Sequence, residues 1–384
     1  MWCGPVQLAS RTVPYSQQEH LVALQAGIVG LPNVGKSTLF NALTKSNVDS
    51  ANYPFCTIEP NVGVVPVADP RLEQLNSVIA TKEVLPTVVE IVDIAGLVKG
   101  ASSGEGLGNK FLGHIRSVDA VVHVVRCFED ADVTHVDGDI DPIRDVETID
   151  LELALADLEV VQRRVDRMEK IARSGDKPAQ VEAELFRRVA ERLETGKPVR
   201  SATWTKDERQ LIKEAQLLTA KPVLYVCNVD EAGITDNDMV TVIRERAEEE
   251  GSAVIVVCAA AEAEIAQLDP DDQADFLSDL GLDEPGLAKL ARETYGLLGL
   301  RTFFTAGPKE IRAWTVREGA TAPQAAGVIH TDFEKGFIRV EVYRIDDLVA
   351  LGSEAALKAA GKMRVEGKEY VVQDGDVMFF RFNV

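Results

Sequence analysis

From residue 26 onward the apolar positions fall in short β-branched runs: AGIVG, VGVVPV, VVEIVDI, AVVHVVRCF, PVLYVCNV and AVIVVCA. The runs are nearly continuous rather than alternating, as strands buried on both faces require. Helical stretches lie between several of them. This predicts an α/β domain with a largely parallel sheet over 25–141 and 201–299. A different period interrupts it at about 142–200. Leu151, Leu155, Leu158, Val161, Val165 and Met168 step by 4, 3, 3, 4 and 3 residues, a coiled-coil-like seam. S-G-D-K-P at 174–178 stops the run, and a second follows through Val181, Leu185, Val189 and Leu193 to Gly196. Two helices joined by a tight break predict an antiparallel hairpin inserted into the sheet domain. Residues 300–384 mix strand-like FIRVEVYR and KEYVVQDGDVMFFRFNV with helical pieces and a D-G-D turn, a small α+β domain. Residues 1–24 carry no sustained period and are expected to form a poorly ordered extension.

Charge changes this picture in one respect. Against 41 basic residues stand 62 acidic ones, so the net charge is −21 and non-specific coating of nucleic acid is not expected. From Arg301 onward, however, 12 basic and 12 acidic side chains balance, so the whole excess lies before it. Any RNA contact is therefore local, and DNA is not an expected partner. No apolar run approaches bilayer length, and the first twenty residues lack a basic start followed by an apolar block. Five scattered cysteines (Cys3, Cys56, Cys127, Cys227, Cys258) form no C-x-x-C pair. A reducing, cytoplasmic setting is the simplest expectation.

The chemistry sits at the ends of the strands. Gly30-Leu-Pro-Asn-Val-Gly35-Lys36-Ser37-Thr38 matches G-x-x-x-x-G-K-[ST] directly after a strand and before a helix. Backbone N–H groups over Asn33, Val34, Gly35, Lys36, Ser37 and Thr38 are candidates to cradle phosphates at a helix N-terminus. Lys36 supplies charge to the β/γ oxygens, and the Ser37 hydroxyl is a candidate Mg²⁺ ligand. A second motif, Asp93-Ile-Ala-Gly96, ends the strand VVEIVDI as D-x-x-G. Asp93 is a candidate for the Mg²⁺ shell, and the Gly96 N–H for sensing the γ-phosphate. Thr57 lies between the two motifs, where a switch threonine would complete the metal site. Alone it is an ordinary loop residue.

With GLPNVGKST, the segments NYPFCTIEPNVGVV, DIAGLVKGASSGEGLGNKFL and RCFED resemble the YchF group of Obg-like ATPases. The resemblance runs from Ala26 to Val384 and includes the helical hairpin. LRTFFTAGPKEIRAWTV resembles the start of that family's TGS domain. It implies a GTPase-type P-loop core, a coiled-coil insertion and a ubiquitin-like C-terminal module, together with ATP hydrolysis and association with ribosomes. Residues 1–24 fall outside it, as an authentic extension or an upstream start.

GTPases of this class read guanine with N-K-x-D, whose Asp accepts two hydrogen bonds from the base. Here the strand PVLYVC runs into Asn228-Val229-Asp230-Glu231. The Lys position is Val229 and the Asp position is Glu231, one methylene too long for the bidentate contact. The resemblance makes this Asn-x-x-Glu an ATP signature, with use of both nucleotides as the alternative. Cys258, Ala259 and Ala260 stand where relatives carry S-A-K and are expected near the base. Leu97 occupies the place of the water-orienting Gln, so slow intrinsic turnover is expected. His114 is the candidate replacement, as a water-positioning or proton-accepting group, against a purely structural role on the next helix. Asn33 matches relatives that hold K⁺ near the phosphates, and loop capping is its other reading. Cys56, Cys227 and Cys258 are either redox sensors or small buried hydrophobes.

The hairpin carries Arg163, Arg164, Arg167, Lys170 and Arg173 on its first helix and Arg187, Arg188 and Arg192 on its second. This is either a solvated face or a ribosome contact shared with the C-terminal module. Three function classes remain: an ATPase switch, a ribosome-binding factor whose hydrolysis is only a timer, and a metabolic phosphotransferase. For the last, no acceptor site is evident.

Overall fold

The computed structural model describes residues 24–45, 61–94, 107–130, 133, 135–136 and 138–383. The expectation for 1–24 and the candidates Cys56, Thr57, Gly96 and Leu97 fall on or among residues outside that set.

The main sheet has the order β2-β4-β1-β5-β6-β7, with β1 Gln25–Val29, β2 Val62–Val67, β4 Thr87–Asp93, β5 Ala120–Arg126, β6 Val223–Asn228 and β7 Ala253–Val257. Only β2 is antiparallel to its neighbour. Every residue of β5 and β6 is buried, which is why their Val-rich runs show no alternation. Helices α1 (Lys36–Lys45), α3 (Leu107–Ser117), α7 (Asp238–Glu250), α8 (Ala259–Ile265), α9 (Pro270–Asp279) and α10 (Gly286–Leu297) belong to this body.

The insertion is α4 (Pro142–Ala172) and α5 (Lys177–Glu194), followed by the shorter α6 (Lys206–Glu214). α4 and α5 each start with an Asp N-cap followed by Pro in the first turn: the Asp141 carboxylate accepts from the Arg144 N–H and that of Asp176 from the Ala179 N–H. The seam differs from the sequence reading in its first half. Leu151 and Leu155 are 50% and 46% exposed, and Val181 is 66% exposed. The first turns of α4 instead turn Val146, Ile149 and Leu153 onto the core of the main body. The hairpin's own core begins at Ala154 and takes in Val161, Leu185, Phe186, Val189 and Leu193. A helix that docks on a sheet with one stripe and on a partner helix with another carries two overlapping periods, and the Leu row followed only one of them.

The root of the hairpin is fastened by buried ions. Arg200 donates to Asp150 at 2.8 Å and to Glu250 at 3.0 Å, and Arg246 pairs with Glu250 at 2.6 Å. Asp157 accepts from the Leu218 and Thr219 N–H groups and from the Thr219 hydroxyl.

The second sheet, β11-β10-β12-β8-β9-β3, is built from β8 Leu300–Ala306, β9 Glu310–Arg317, β10 Phe337–Arg344, β11 Arg364–Glu366 and β12 Asp376–Phe382, with β3 Glu83–Leu85 at its edge. A β8–β9 hairpin, α11 (Ala322–Ile329) and a parallel pairing of β12 with β8 give the ubiquitin-like arrangement that the resemblance implies. The first body contributes to it: β3 pairs with β9, and Leu72 and Leu75 of α2 (Pro70–Val78) pack with Phe304, Tyr343 and Val377 under α13 (Ile345–Leu351) and α14 (Glu354–Ala359). The short α12 (Thr331–Lys335) leads into β10. Among the described residues no helix is long and apolar enough to cross a membrane.

Candidate functional site

The loop between β1 and α1 is shaped by close approaches. A Cβ on Gly30 would lie 2.5 Å from the Val124 carbonyl oxygen, so only glycine fits against β5. Asn33 takes a left-handed conformation (φ 61°), which Asn tolerates better than most residues. Gly35 is also left-handed (φ 95°), and a Cβ there would strike the Asn228 amide nitrogen. The chain is thus held in a tight ring that delivers Lys36 at the first turn of α1. Lys36 is only 8% exposed, and its ammonium donates to the Leu31 carbonyl at 2.6 Å. Burial lowers its pKa to about 8, opposed by the charge of Asp93. Ser37 and Thr38 are exposed in the same turn.

Parallel pairing sets Asp93 beside Ile28, two residues before Gly30, so the end of β4 meets the loop. Burial raises the Asp93 pKa, and Lys36 counters it. The structure therefore brings Lys36 and Asp93 into one electrostatic site beside an open hydroxyl at Ser37. His114 lies on the exposed side of α3, while Phe111, Leu112 and Ile115 on the other side are buried.

The opposite wall comes from β6 and β7. Asn228 is buried, its amide donating to the Val34 carbonyl at 3.0 Å and accepting from the Ala259 N–H at 3.0 Å. It therefore braces the phosphate loop against the start of α8, with the amide orientation fixed by those two bonds. Val229 is 3% exposed, and its N–H bonds the Val257 carbonyl at 3.0 Å. Glu231 is exposed at the start of a short turn, Ala232–Ile234, while the Asp230 carboxylate accepts from the Gly233 N–H at 2.8 Å. Cys258 caps the N-terminus of α8. Its thiol pKa is pushed up chiefly by burial, with the nearby Glu231 and Asp230 adding to the effect. Cys127 and Cys227 are fully buried. The Cys127 thiol is pushed up by its hydrogen bond to Cys227 and by burial. Burial favours the small-hydrophobe reading of Cys227 and Cys258 over the sensing one.

Sequence reasoning missed three supports of the site. Arg126 is buried and donates to the Phe128, Val133 and Asp130 carbonyls, organising the loop after β5. Asn237 caps α7 and donates to the Cys127 carbonyl at 2.9 Å, tying the segment between β6 and α7 to the end of β5. Glu262 is buried and accepts from the Gly286 and Leu287 N–H groups, closing a cavity of about 210 Å³ behind Cys258 and Ala261. The signal for Glu262 was present as the first carboxylate after the apolar run C-A-A-A at 258–261.

The hairpin arginines divide into two groups. Arg164 pairs with Glu182 at 2.7 Å and lies over the Phe186 ring. Arg187 pairs with Glu169 and Glu184, Arg188 with Glu208, and Arg192 donates to the Pro198 carbonyl and the Ser201 hydroxyl. The second-helix arginines are thus engaged within the protein. Arg163, Arg167, Lys170 and Arg173 remain on an exposed face, with Arg163 only 3.7 Å from Glu159 across one turn.

Comparisons with known proteins fit this geometry. A family model described as "50S ribosome-binding GTPase" matches residues 25–159. A second, YchF-GTPase_C, described as "Protein of unknown function (DUF933)", matches residues 300–383. The "Ribosome-binding ATPase YchF" of Pasteurella multocida is 57% identical over 363 residues, 94% of this chain and 100% of that one. Its Bacillus subtilis counterpart is 56% identical over 366 residues with the same coverage. "Obg-like ATPase 1" of Oryza sativa subsp. japonica is 48% identical over 365 residues, 94% of this chain and 92% of that one. The solved Schizosaccharomyces pombe YchF GTPase superposes with a TM-score of 0.84 at 40% identity, covering 93% of this chain and 97% of that one.

Proposed function

The chain belongs to the YchF family of Obg-like ATPases, and from that premise we propose that it is a cytoplasmic, ATP-hydrolysing switch that binds the ribosome and modulates translation or a stress response. The observation that carries the reading is the meeting of Lys36, Ser37 and Asp93 at one end of the main sheet, with Asn228 bracing the loop from behind. The phosphates of ATP would lie over the N–H groups from Asn33 to Thr38. Lys36 would then exchange the Leu31 carbonyl for β/γ oxygens. A Ser hydroxyl beside an Asp carboxylate is a hard oxygen set that fits Mg²⁺, with Thr57 as a third ligand. When bound, the ion neutralises charge on the phosphoryl group. The exposed left-handed Asn33 is the residue that would hold K⁺. Gly96 would report the γ-phosphate by its N–H. Titration with ATP and with GTP tests the base assignment, and tighter binding of GTP would overturn it. Turnover measured with and without ribosomes separates a switch from a mere timer.

Base choice gives the first mutational expectation. Glu231→Asp with Val229→Lys rebuilds N-K-x-D and should move the ATP/GTP affinity ratio toward GTP by at least about tenfold, since a site built to hydrogen-bond a base rejects one lacking the groups strongly. Val229 is buried, so the new Lys stem must run along the base with its head in solvent. Calorimetric titration of both nucleotides reads the result. An unchanged ratio in a folded double variant would assign specificity to other residues of the pocket.

The exposed hairpin stripe gives the second. Arg163, Arg167 and Lys170 are the residues we assign to RNA contact, together with the C-terminal module. Replacing all three with Glu should weaken ribosome co-sedimentation and flatten its logarithmic salt dependence by about 2–3. ATP turnover without ribosomes should stay unchanged. Undiminished co-sedimentation at physiological salt would make the stripe a solvated face.

A further inference from the structure

The strand that carries Asp93 is held at its two ends by different bodies. β1 pairs with Glu90–Asp93 of β4. The other end, at Thr87, reaches past β1 to the second sheet, where the Thr87 hydroxyl bonds that of Thr315 on β9, which also accepts from the Tyr295 hydroxyl. β2 pairs with β4 along its whole length, from Val62↔Val92 to Val67↔Thr87, with no shift of register. Between β2 and β4 the chain leaves the main sheet as α2 and β3, and the C-terminal module claims both. β3 adds to β9 through Glu83↔Glu310, Val84↔Ile311 and Leu85↔Arg312. Leu75 is fully buried in a cluster with Phe304, Tyr343 and Val377. Arg71 donates to Asp374 at 2.6 Å and lies 5.1 Å from the centre of the Phe304 ring.

Among the described residues, every contribution of the first body to that apolar cluster comes from this one segment: Leu72, Leu75, Val78 and Ile79. The module is therefore seated on the stretch of chain that ends in Asp93, rather than on an outer helix of the main body. A strand bonded along its length to a neighbour neither stretches nor folds, and at about 3.3 Å per residue β4 is a rod of about 20 Å. Close-packed interiors transmit displacement instead of absorbing it. A shift of the seat at Thr87 thus arrives at Asp93, where the carboxylate shares its site with Lys36.

We propose that the C-terminal module is a positioning element of the ATPase site: by holding α2 and β3 it fixes β4, and so sets the Asp93 carboxylate against the phosphate loop for Mg²⁺. Arg71 and Leu75 are the positioning residues. The inference rests on the reading of Lys36, Ser37 and Asp93 as a Mg²⁺–nucleotide site, and it gives a route by which a load on the module alters hydrolysis without touching the nucleotide. The test titrates a fluorescent ribose-labelled ATP into the full chain, once with Mg²⁺ and once with EDTA, and follows ATP turnover against Mg²⁺ concentration. Leu75→Ala should raise the Mg²⁺ concentration for half-maximal turnover about tenfold, the scale of losing support behind a metal ligand. It should also remove most of the affinity that Mg²⁺ adds, with affinity in EDTA unchanged. Leu75→Met keeps the volume and should restore both. Arg71→Ala and Asp374→Ala cut the same seat from either side without opening the core. Each should shift the Mg²⁺ requirement about threefold, and the double variant should go no further than the larger single one. The inference falls if Leu75→Ala keeps the wild-type Mg²⁺ dependence. Should Leu75→Ala lose the nucleotide in EDTA as well, the loop itself is damaged and the decision passes to Arg71→Ala and Asp374→Ala, whose wild-type Mg²⁺ dependence would equally overturn it. A wild-type chain that gains no affinity from Mg²⁺ would overturn the site reading, and this inference with it.

Discussion

Lys36→Ala should reduce ATP turnover by about 10³-fold or more, the scale of removing one preorganised charge from a phosphoryl-transfer site. Two losses combine. The ammonium that would meet the β/γ oxygens disappears, and so does the 2.6 Å bond that pins the side chain on the Leu31 carbonyl inside the loop. The protein should nevertheless remain folded. Burial lowers the Lys36 pKa from 10.5 to about 8. Folding therefore depresses this pKa, and at pH 7 the ammonium costs stability in the nucleotide-free protein. That cost fades as the pH climbs through about 8 toward 10.5. Lys36→Met, which keeps most of the stem, should be at least as stable as wild type at pH 7, with the difference shrinking at higher pH. Single-turnover hydrolysis together with thermal unfolding at two pH values checks both halves. Undiminished turnover in a folded Lys36→Ala protein would remove the loop from the chemistry altogether.

This site was legible in sequence because its residues are contiguous. The positions where a Cβ would strike the Val124 carbonyl oxygen and the Asn228 amide are written as Gly30 and Gly35, and Lys36 follows directly. The fully buried strands were legible too, since burial on both faces leaves a run of Val and Ile with no polar alternation. The starts of the two hairpin helices were written as Asp-Pro at 141–142 and Asp-Lys-Pro at 176–178.

What stayed hidden depends on partners distant in the chain. Nothing in E-V-L at 83–85 announces that it pairs with β9 rather than with the main sheet. Leu151 and Leu155 share a heptad row with Val165, yet they face water, because the root of α4 is claimed by the main body. Arg187, Arg188 and Arg192 looked like part of a basic stripe, yet Arg187 is paired with Glu169 across the hairpin, Arg188 with Glu208 beyond it, and Arg192 donates to the Pro198 carbonyl after the second helix. Asn228 was assigned to the nucleotide from its motif, while its brace between Val34 and Ala259 needs both strands in place.

His114→Ala is expected to lower turnover by about 10²-fold, with nucleotide affinity nearly unchanged. The sequence left two roles for this residue, and its place on α3 weighs between them. A structural histidine on that helix would share the inward side with Phe111, Leu112 and Ile115, whereas His114 is exposed on the other side. Removing an exposed ring should alter stability by no more than about 0.5 kcal/mol, so a large fall in kcat would have to be chemical. Leu97 stands at the sequence position where Ras-like GTPases place a water-orienting Gln, which leaves that role open to the imidazole. The replacement distinguishes two ways of filling it. His114→Gln can still hold a water by hydrogen bonds but cannot take its proton near neutral pH. Recovery of most of the lost kcat in His114→Gln would assign orientation. A Gln variant as slow as the Ala variant, with a wild-type pH–rate profile that loses one ionisation in both, would assign proton transfer. Wild-type kcat in His114→Ala would exclude both and return the water-positioning role to another residue.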